Sequence, residues 1–166
     1  MKLFNFIKEQ RCYNIFIKEF DINHEKENYI DNINLCNKMC LIFKNKVRLE
    51  DVILRKCYTL LCLDKEDEFN KLSNEIDLPQ NILMILYYKL IINIDAEEQE
   101  YIKIYNSFVD IKYKSKNTVV FNILNREILV LREAILNNKK ITNLKVIKHL
   151  KRSKLAKIKK LQSYYI

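Results

Sequence analysis

The sequence of 166 residues contains no glycine and one proline. P-loops, dinucleotide-binding turns and the nucleophile elbow all need glycine backbone, so the enzyme classes built on them are excluded. Tight β-hairpins also favour glycine, which argues against an extensive β-sandwich. No arrangement of nucleophile, base and orienting acid is recognisable either. We therefore expect a mainly helical protein that is not an enzyme and that works by binding.

Long apolar runs are also missing. The longest, residues 82–92, has eleven residues and includes Lys89. This length is typical of a core helix and is too short for a membrane span. The apolar start of the chain is interrupted by Lys8 and Glu9, so no secretory segment is expected.

Cysteine is present, but not in a pattern that predicts a disulfide framework or a metal site. The five thiols are an odd number and indicate a reducing, intracellular setting; they are Cys12, Cys36, Cys40, Cys57 and Cys62. Cys36 and Cys40 lie one helical turn apart on an apolar face, unlike the ligands of a zinc knuckle. We expect core cysteines, no metal and no cofactor.

Charge divides the chain into two parts. Residues 1–110 hold 15 Lys and Arg against 19 Asp and Glu, whereas residues 111–166 hold 15 against 2. Part of the net charge of +9 reflects a codon bias that also gives 24 Ile, 19 Asn and 3 Ala. The asymmetry predicts two domains, residues 1–113 and 118–166, joined at the basic stretch 112–117.

Apolar residues at a spacing of three and four predict helices in the first domain. The predicted helices cover about residues 2–20, 29–43, 49–61 (with an optional extension over 69–76), 82–92 and 95–113. Leu78-Pro79 predicts a break before the fourth. Asp95 and Glu98 resemble a capping box at the start of the last. Without glycine, helix ends should rely on Asn.

The pattern changes after Thr118. Residues 118–124 are rich in β-branched and aromatic side chains, and residues 127–131 form a second apolar run beyond Asn125-Arg126. This favours a β-hairpin over residues 118–131. The alternative is a single helix from Asn122 to Leu136. With the hairpin, the fold class is an N-terminal helical bundle followed by a small α+β, strand-rich C-terminal domain.

The end of the chain is a basic helical segment. Its candidate contacts for docking or for nucleic acid are Lys145, Lys148, Lys151, Arg152 and Lys154. Lysines neutralise phosphates, but a lysine-rich solubilising face is an equally good interpretation. A helix-turn-helix over residues 144–161 would need a turn at Ser153 without glycine.

The order of elements resembles the GINS family, most closely its Psf-one type, with the Sld-five type as the nearest rival. The resemblance covers about residues 48–158. It rests on Leu78-Pro79, on the run from Glu97 to Tyr105, and on the apolar segments 130–138 and 155–158. The resemblance implies a helical A-like domain and a small strand-rich B-like domain. The basic tail beyond Ile158 is not explained by the resemblance.

A GINS subunit would be a non-enzymatic scaffold of the replicative DNA helicase in the nucleus. The implied partners are the other GINS subunits in a hetero-tetramer, the MCM helicase and its Cdc partner, with a weak DNA contact and no membrane. The implied subunit interface lies on one helix and comprises Glu97, Glu98, Tyr101, Tyr105 and Phe108. The alternatives are a basic helical protein that binds RNA or DNA, and a helical bundle that captures a partner's helix.

Overall fold

The computed structural model describes residues 2–166, with side chains from residue 7 onward, and all regular secondary structure in this range is helical. No β-strand occurs within this range. The chain forms two compact units, which divide between Ile76 and Asp77. The basic stretch 112–117 lies inside the second unit, although the charge pattern predicted a boundary there.

The N-terminal unit contains four helices packed in chain order. They are α1 (Lys2–Glu25), α2 (Tyr29–Ile42), α3 (Lys46–Cys62) and α4 (Glu66–Ser73). Their core is built from Phe16, Phe20, Leu35, Cys36, Phe43 and Val52. The helical spacing in this region is thus confirmed, and the optional extension of the third helix is a separate helix. Asn45 caps α3, because its side chain accepts hydrogen bonds from the amides of Val47 and Arg48.

The C-terminal unit contains five helices and a final 3-10 turn. They are α5 (Pro79–Ile92), α6 (Glu98–Ser115), α7 (Thr118–Leu136), α8 (Leu144–Arg152), α9 (Ala156–Lys160) and the turn Gln162–Tyr164. Helices α5, α6 and α7 pack against one another, α8 packs on α7, and α9 packs on α5. The core between them includes Leu90, Phe108, Ile128 and Leu131, all fully buried. Pro79 occupies the first turn of α5, as the predicted break requires.

The predicted strand-rich domain is wrong, because residues 118–136 form the continuous helix α7. Its buried residues Phe121, Leu124, Ile128 and Leu131 recur every three or four positions and face the core. Asn117 caps the helix by accepting a hydrogen bond from the Val120 amide. Burial of this apolar stripe outweighs the β propensity of the residues that follow Asn117.

The predicted capping box at Asp95 is also wrong. Helix α6 begins at Glu98, and its N-terminal flanking residue Glu97 makes no side-chain cap. Asp95 instead binds the Lys157 ammonium through both carboxylate oxygens, at 2.8 and 2.9 Å. The pKa of Asp95 is lowered overall. Partial burial alone would raise it, but the hydrogen bond and charge of Lys157 have the larger combined effect. Asp95 therefore ties α9 to the loop that precedes α6.

Four residues adopt the left-handed backbone conformation that glycine normally takes: Glu27, Asp64, Lys116 and Asn138. Only one of them is an asparagine, so Asn takes the left-handed role of glycine at Asn138 alone. The expectation that helix ends rely on Asn is met more widely, since Asn side chains cap the starts of α3, α7 and α8. Lys116, with φ of 54°, ends α6. A residue with a Cβ atom is disfavoured here by about 1–2 kcal/mol.

Replacing Lys116 by glycine should raise the free energy of unfolding by about 0.5–1 kcal/mol, because the relief of strain exceeds the added entropy of the unfolded chain. Urea denaturation will measure the change. The matched control is Lys114→Gly, an exposed position inside α6, which should lower stability by about 1 kcal/mol. Equal effects of the two substitutions would contradict the strain argument.

Candidate functional site

The net positive charge of the protein belongs to the C-terminal unit. Residues 1–76 contain 13 Lys and Arg and 13 Asp and Glu, whereas residues 77–166 contain 17 and 8. The net charge of +9 therefore belongs entirely to the second unit. A codon bias alone would favour lysine in both units, so the imbalance points to a feature of the second unit itself.

A groove between α7 and α8 collects part of this charge. It has a volume of about 520 Å³ and is lined by Ile123, Arg126, Glu127, Lys145, Val146, Lys148, His149 and Arg152. Four of these side chains are permanently cationic, and one is a histidine. The only carboxylate is Glu127, which is buried. The exposed part of the groove is thus cationic.

Helical geometry explains why the cations of α8 face the groove together. Lys145, Lys148 and Arg152 follow one another at spacings of three and four, so they lie along one side of the helix. Val146 and Leu150 lie on another side and are buried in the core. Asn143 fixes the start of α8 by accepting a hydrogen bond from the Val146 amide.

Glu127 lies buried at the base of the groove and links the helices that form it. Its side chain is only 3% exposed and accepts a hydrogen bond from the Tyr87 hydroxyl of α5 at 2.5 Å. Its other oxygen bonds Nδ1 of His149 on α8. One buried carboxylate therefore connects α5, α7 and α8.

The same contact sets the protonation of His149. The hydrogen bond to Glu127 raises the pKa of His149 above its ordinary 6.5; partial burial and the nearby Arg152 oppose this shift, and the negative charge of Glu127 supports it. His149 is accordingly protonated over a wider pH range than a solvated histidine. In that state it adds a further positive charge to the groove.

The structure brings together some of the predicted C-terminal contacts and not others. Lys145, Lys148 and Arg152 line the groove. Lys151 is exposed but does not line it, and Lys154 follows the end of α8 and is half-buried. The charge pattern alone did not reveal Arg126 and Glu127, because the hairpin interpretation hid the helical period that places them beside α8.

The predicted interface residues occupy a different part of the second unit. Tyr101 and Phe108 are buried in its core, and Tyr105 is half-buried, with its hydroxyl donating to Asn125 Oδ1 at 2.9 Å. Glu97 and Glu98 are exposed. The aromatic stripe on α6 is thus accounted for by packing within the chain.

Arg132 fastens the loop before α6 to α7. Nη1 donates to the carbonyl oxygens of Ile94 and Ala96 at 2.5 and 2.9 Å, and Nη2 pairs with Glu98 at 3.1 Å. The guanidinium carbon also lies 4.2 Å from the ring centre of Tyr101. This arginine is structural and not a surface cation of the groove.

Two of the five cysteines are buried in the core, and the other three are half-buried. Cys36 and Cys57 are fully buried, as expected for core residues. Burial raises the pKa of the Cys36 thiol to about 12, so it is not a thiolate at neutral pH. Within residues 2–166, no three or more His, Cys, Asp or Glu side chains converge as metal ligands would.

No protein-family model, curated protein or solved structure matches the chain. None of the helices in the described part is long and apolar enough to span a bilayer. The GINS resemblance therefore stays a prediction from the sequence, and its strand-rich domain is absent from residues 2–166.

Proposed function

We propose that the C-terminal unit binds nucleic acid through the cationic groove between α7 and α8. The observation that carries this proposal is the convergence of four permanent cations around one buried carboxylate. Glu127 is already engaged by Tyr87 and His149. The groove cations therefore face solvent without an acidic neighbour in the groove to neutralise them, which suits a polyanion.

The ligand would be bound through its phosphates. Lys145 and Arg152 are seven residues apart on α8, which separates them by about 10 Å along the helix axis, with Lys148 between them. Several phosphates of one strand can be contacted along such a row. Lysine and arginine contacts of this kind position the nucleic acid without reading its sequence. We therefore expect affinity with little sequence preference.

The helices after α7 do not favour base recognition of the helix-turn-helix kind. Helix α8 is followed by a turn at Ser153 and by α9, which has only five residues. Within α9, Ile158 is buried and Lys157 pairs with Asp95. A recognition helix needs side chains that can reach base edges, so backbone binding is the better-supported mode.

Replacing Lys145, Lys148 and Arg152 together by glutamine should weaken binding to a short DNA duplex. It should also make the negative slope of log K against log salt shallower by about 2 to 3, since each lost phosphate contact contributes about 0.9 to its magnitude. Fluorescence anisotropy at several salt concentrations will measure both effects. The result distinguishes a local site from general attraction by net charge.

The matched control is a triple glutamine variant at Lys18, Lys38 and Lys71, which are exposed lysines of the N-terminal unit. It removes the same charge from the other unit and should leave the slope within about 0.5 of the unmodified protein. An equal loss in the two triple variants would show that binding follows net charge, and the groove would not be the site.

The second candidate is the GINS scaffold role that the resemblance implies. Support for it comes from the sequence of the Leu78-Pro79 element and of the Glu97–Tyr105 run, and from their positions at the starts of α5 and α6. The strand-rich domain that would dock the partner is absent from residues 2–166, so the scaffold role ranks below nucleic-acid binding by the groove. Stable assembly with the three other GINS subunits, co-expressed and co-purified, would favour the scaffold role.

A further inference from the structure

The two walls of the groove between α7 and α8 differ in chemistry. The α8 wall carries three exposed cations, Lys145, Lys148 and Arg152. The α7 wall adds Arg126, but also Ile123, which is 55% exposed. Val119 lies one turn before Ile123 on the same side of α7 and is 70% exposed. Phosphate contacts use cationic and polar groups, so the apolar part of the α7 wall suits another part of the ligand.

His149 adds a flat ring to the same groove. Its side chain is 52% exposed, and its Nδ1 is bonded to the buried carboxylate of Glu127. This bond fixes the orientation of the ring, so little side-chain entropy is lost when a ligand packs against it. Nucleobases stack on histidine rings and pack against apolar side chains. His149 and Ile123 therefore offer a surface for bases beside the row of cations on α8.

The size of the groove suits unpaired bases better than a duplex. Sites of about 300–1,000 Å³ hold ligands of drug size, and the groove volume of about 520 Å³ lies in this range. The bases of a duplex are stacked inside it, so their faces cannot reach Ile123 or His149. The bases of a single strand can turn toward these residues while the phosphates stay on α8.

We propose that the ligand of the groove is single-stranded nucleic acid, with its phosphates on the α8 cations and its bases against Ile123 and His149. This inference rests on the proposed function and specifies the form of the ligand. Charge alone predicts the opposite preference, since a duplex carries more phosphates per unit length than a single strand. Tighter binding of the single strand is therefore a direct sign of contact with the bases.

Fluorescence anisotropy of the full chain will compare labelled ligands of about twelve nucleotides. They are a DNA strand of mixed sequence, its duplex, an abasic DNA strand, and an RNA strand of the same sequence. The DNA strand should bind at least about fivefold more tightly than the duplex and the abasic strand, as expected for one or more stacked bases. The tighter of the DNA and RNA strands identifies the sugar of the ligand.

Two substitutions test the surface that the bases contact. Ile123→Ala removes no charge, so it should weaken binding of the DNA strand by about threefold or more and leave binding of the duplex unchanged. His149→Gln keeps a donor for Glu127 but loses the ring, so it should lower the ratio of single-strand to duplex affinity. The control is Leu129→Ala, an exposed apolar position of α7 that does not line the groove, which should change neither affinity. Circular dichroism will confirm that each variant is folded.

The outcomes separate this inference from the proposed function. Equal affinity for strand and duplex, equal affinity for the normal and abasic strands, or a preference that both substitutions leave intact would overturn the inference and keep the groove as a nucleic-acid site. Absence of binding to all of the ligands, or equal losses in the two triple glutamine variants, would refute the proposed function itself.

Discussion

Replacing Arg132 by methionine should lower the free energy of unfolding by about 3–5 kcal/mol. Arg132 is 5% exposed and is the hydrogen-bond donor to the carbonyl oxygens of Ile94 and Ala96. Methionine fills much of the same volume but cannot donate, so both carbonyls would lose this partner. Each unsatisfied buried acceptor costs about 1–3 kcal/mol. Loss of the contact with Tyr101 adds to this.

Urea denaturation of the full chain will measure this loss, and hydrogen exchange will locate it in residues 77–166. Arg132→Lys keeps the positive charge but loses the forked set of N–H donors. Its free energy of unfolding should lie between those of the unmodified protein and Arg132→Met. The control is Arg126→Met, an exposed arginine on the same helix, which should change stability by less than about 0.5 kcal/mol in dilute solution. A loss below about 1 kcal/mol for Arg132→Met would mean that Arg132 does not fasten the loop.

Replacing Glu127 by glutamine should lower the free energy of unfolding by about 1–3 kcal/mol at pH 6, because hydrogen bonds to a charged group become bonds to a neutral amide. The carboxylate joins Tyr87 of α5 to His149 of α8, so the loss should be largest where these helices meet α7. The control is Glu133→Gln, an exposed glutamate of the same helix, which should be nearly neutral.

The pH dependence gives a second measure of the same contact. Since Glu127 raises the pKa of His149 above 6.5, the stabilisation is fully present below pH 6.5 and is lost as the pH rises through the higher folded value. Unfolding free energies from pH 6 upward should therefore decline more steeply in the unmodified protein than in Glu127→Gln. Parallel pH profiles for the two proteins would contradict the assignment.

Apolar spacing was sufficient to predict most helix positions before residue 116, but not the all-helical nature of the residues that follow. Helices form close to the predicted ranges at residues 29–42 and 98–115, because their apolar residues, spaced three and four apart, lie on one buried face. A helix also forms at residues 79–92, which is apolar nearly all round and buried on most sides. The turn at Asp64, between α3 and α4, was not predicted from the apolar spacing. Its left-handed conformation separates α3 from α4, and no glycine marks the turn.

The error at α7 arose where local propensity and tertiary packing disagree. Val119 and Val120 favour strands by themselves, but Phe121, Leu124 and Ile128 fit one face of a helix that packs against α5 and α6. The cap at Asn117 was a signal that could have decided the matter. Asn is a favoured N-cap residue, so Asn117 before the apolar-periodic run could have been read as the start of a helix.

The charge pattern picked out three of the residues that line the groove but not the groove itself. Lys145, Lys148 and Arg152 could be named because they fall in a basic run. Their grouping with Arg126 depends on how α8 docks on α7, which no local pattern encodes. The anchoring role of Glu127 was similarly invisible, since only its burial distinguishes it from an ordinary surface glutamate.

Helix α8 has only nine residues, fewer than an isolated helix needs to persist in water. It therefore keeps its shape only while Val146 and Leu150 stay buried and His149 stays bonded to Glu127. A disordered basic tail carries the same charge whether or not the protein is folded, but the row formed by Lys145, Lys148 and Arg152 exists only in the docked state. Local opening of this one helix would scatter the row while the charge of the chain stayed the same.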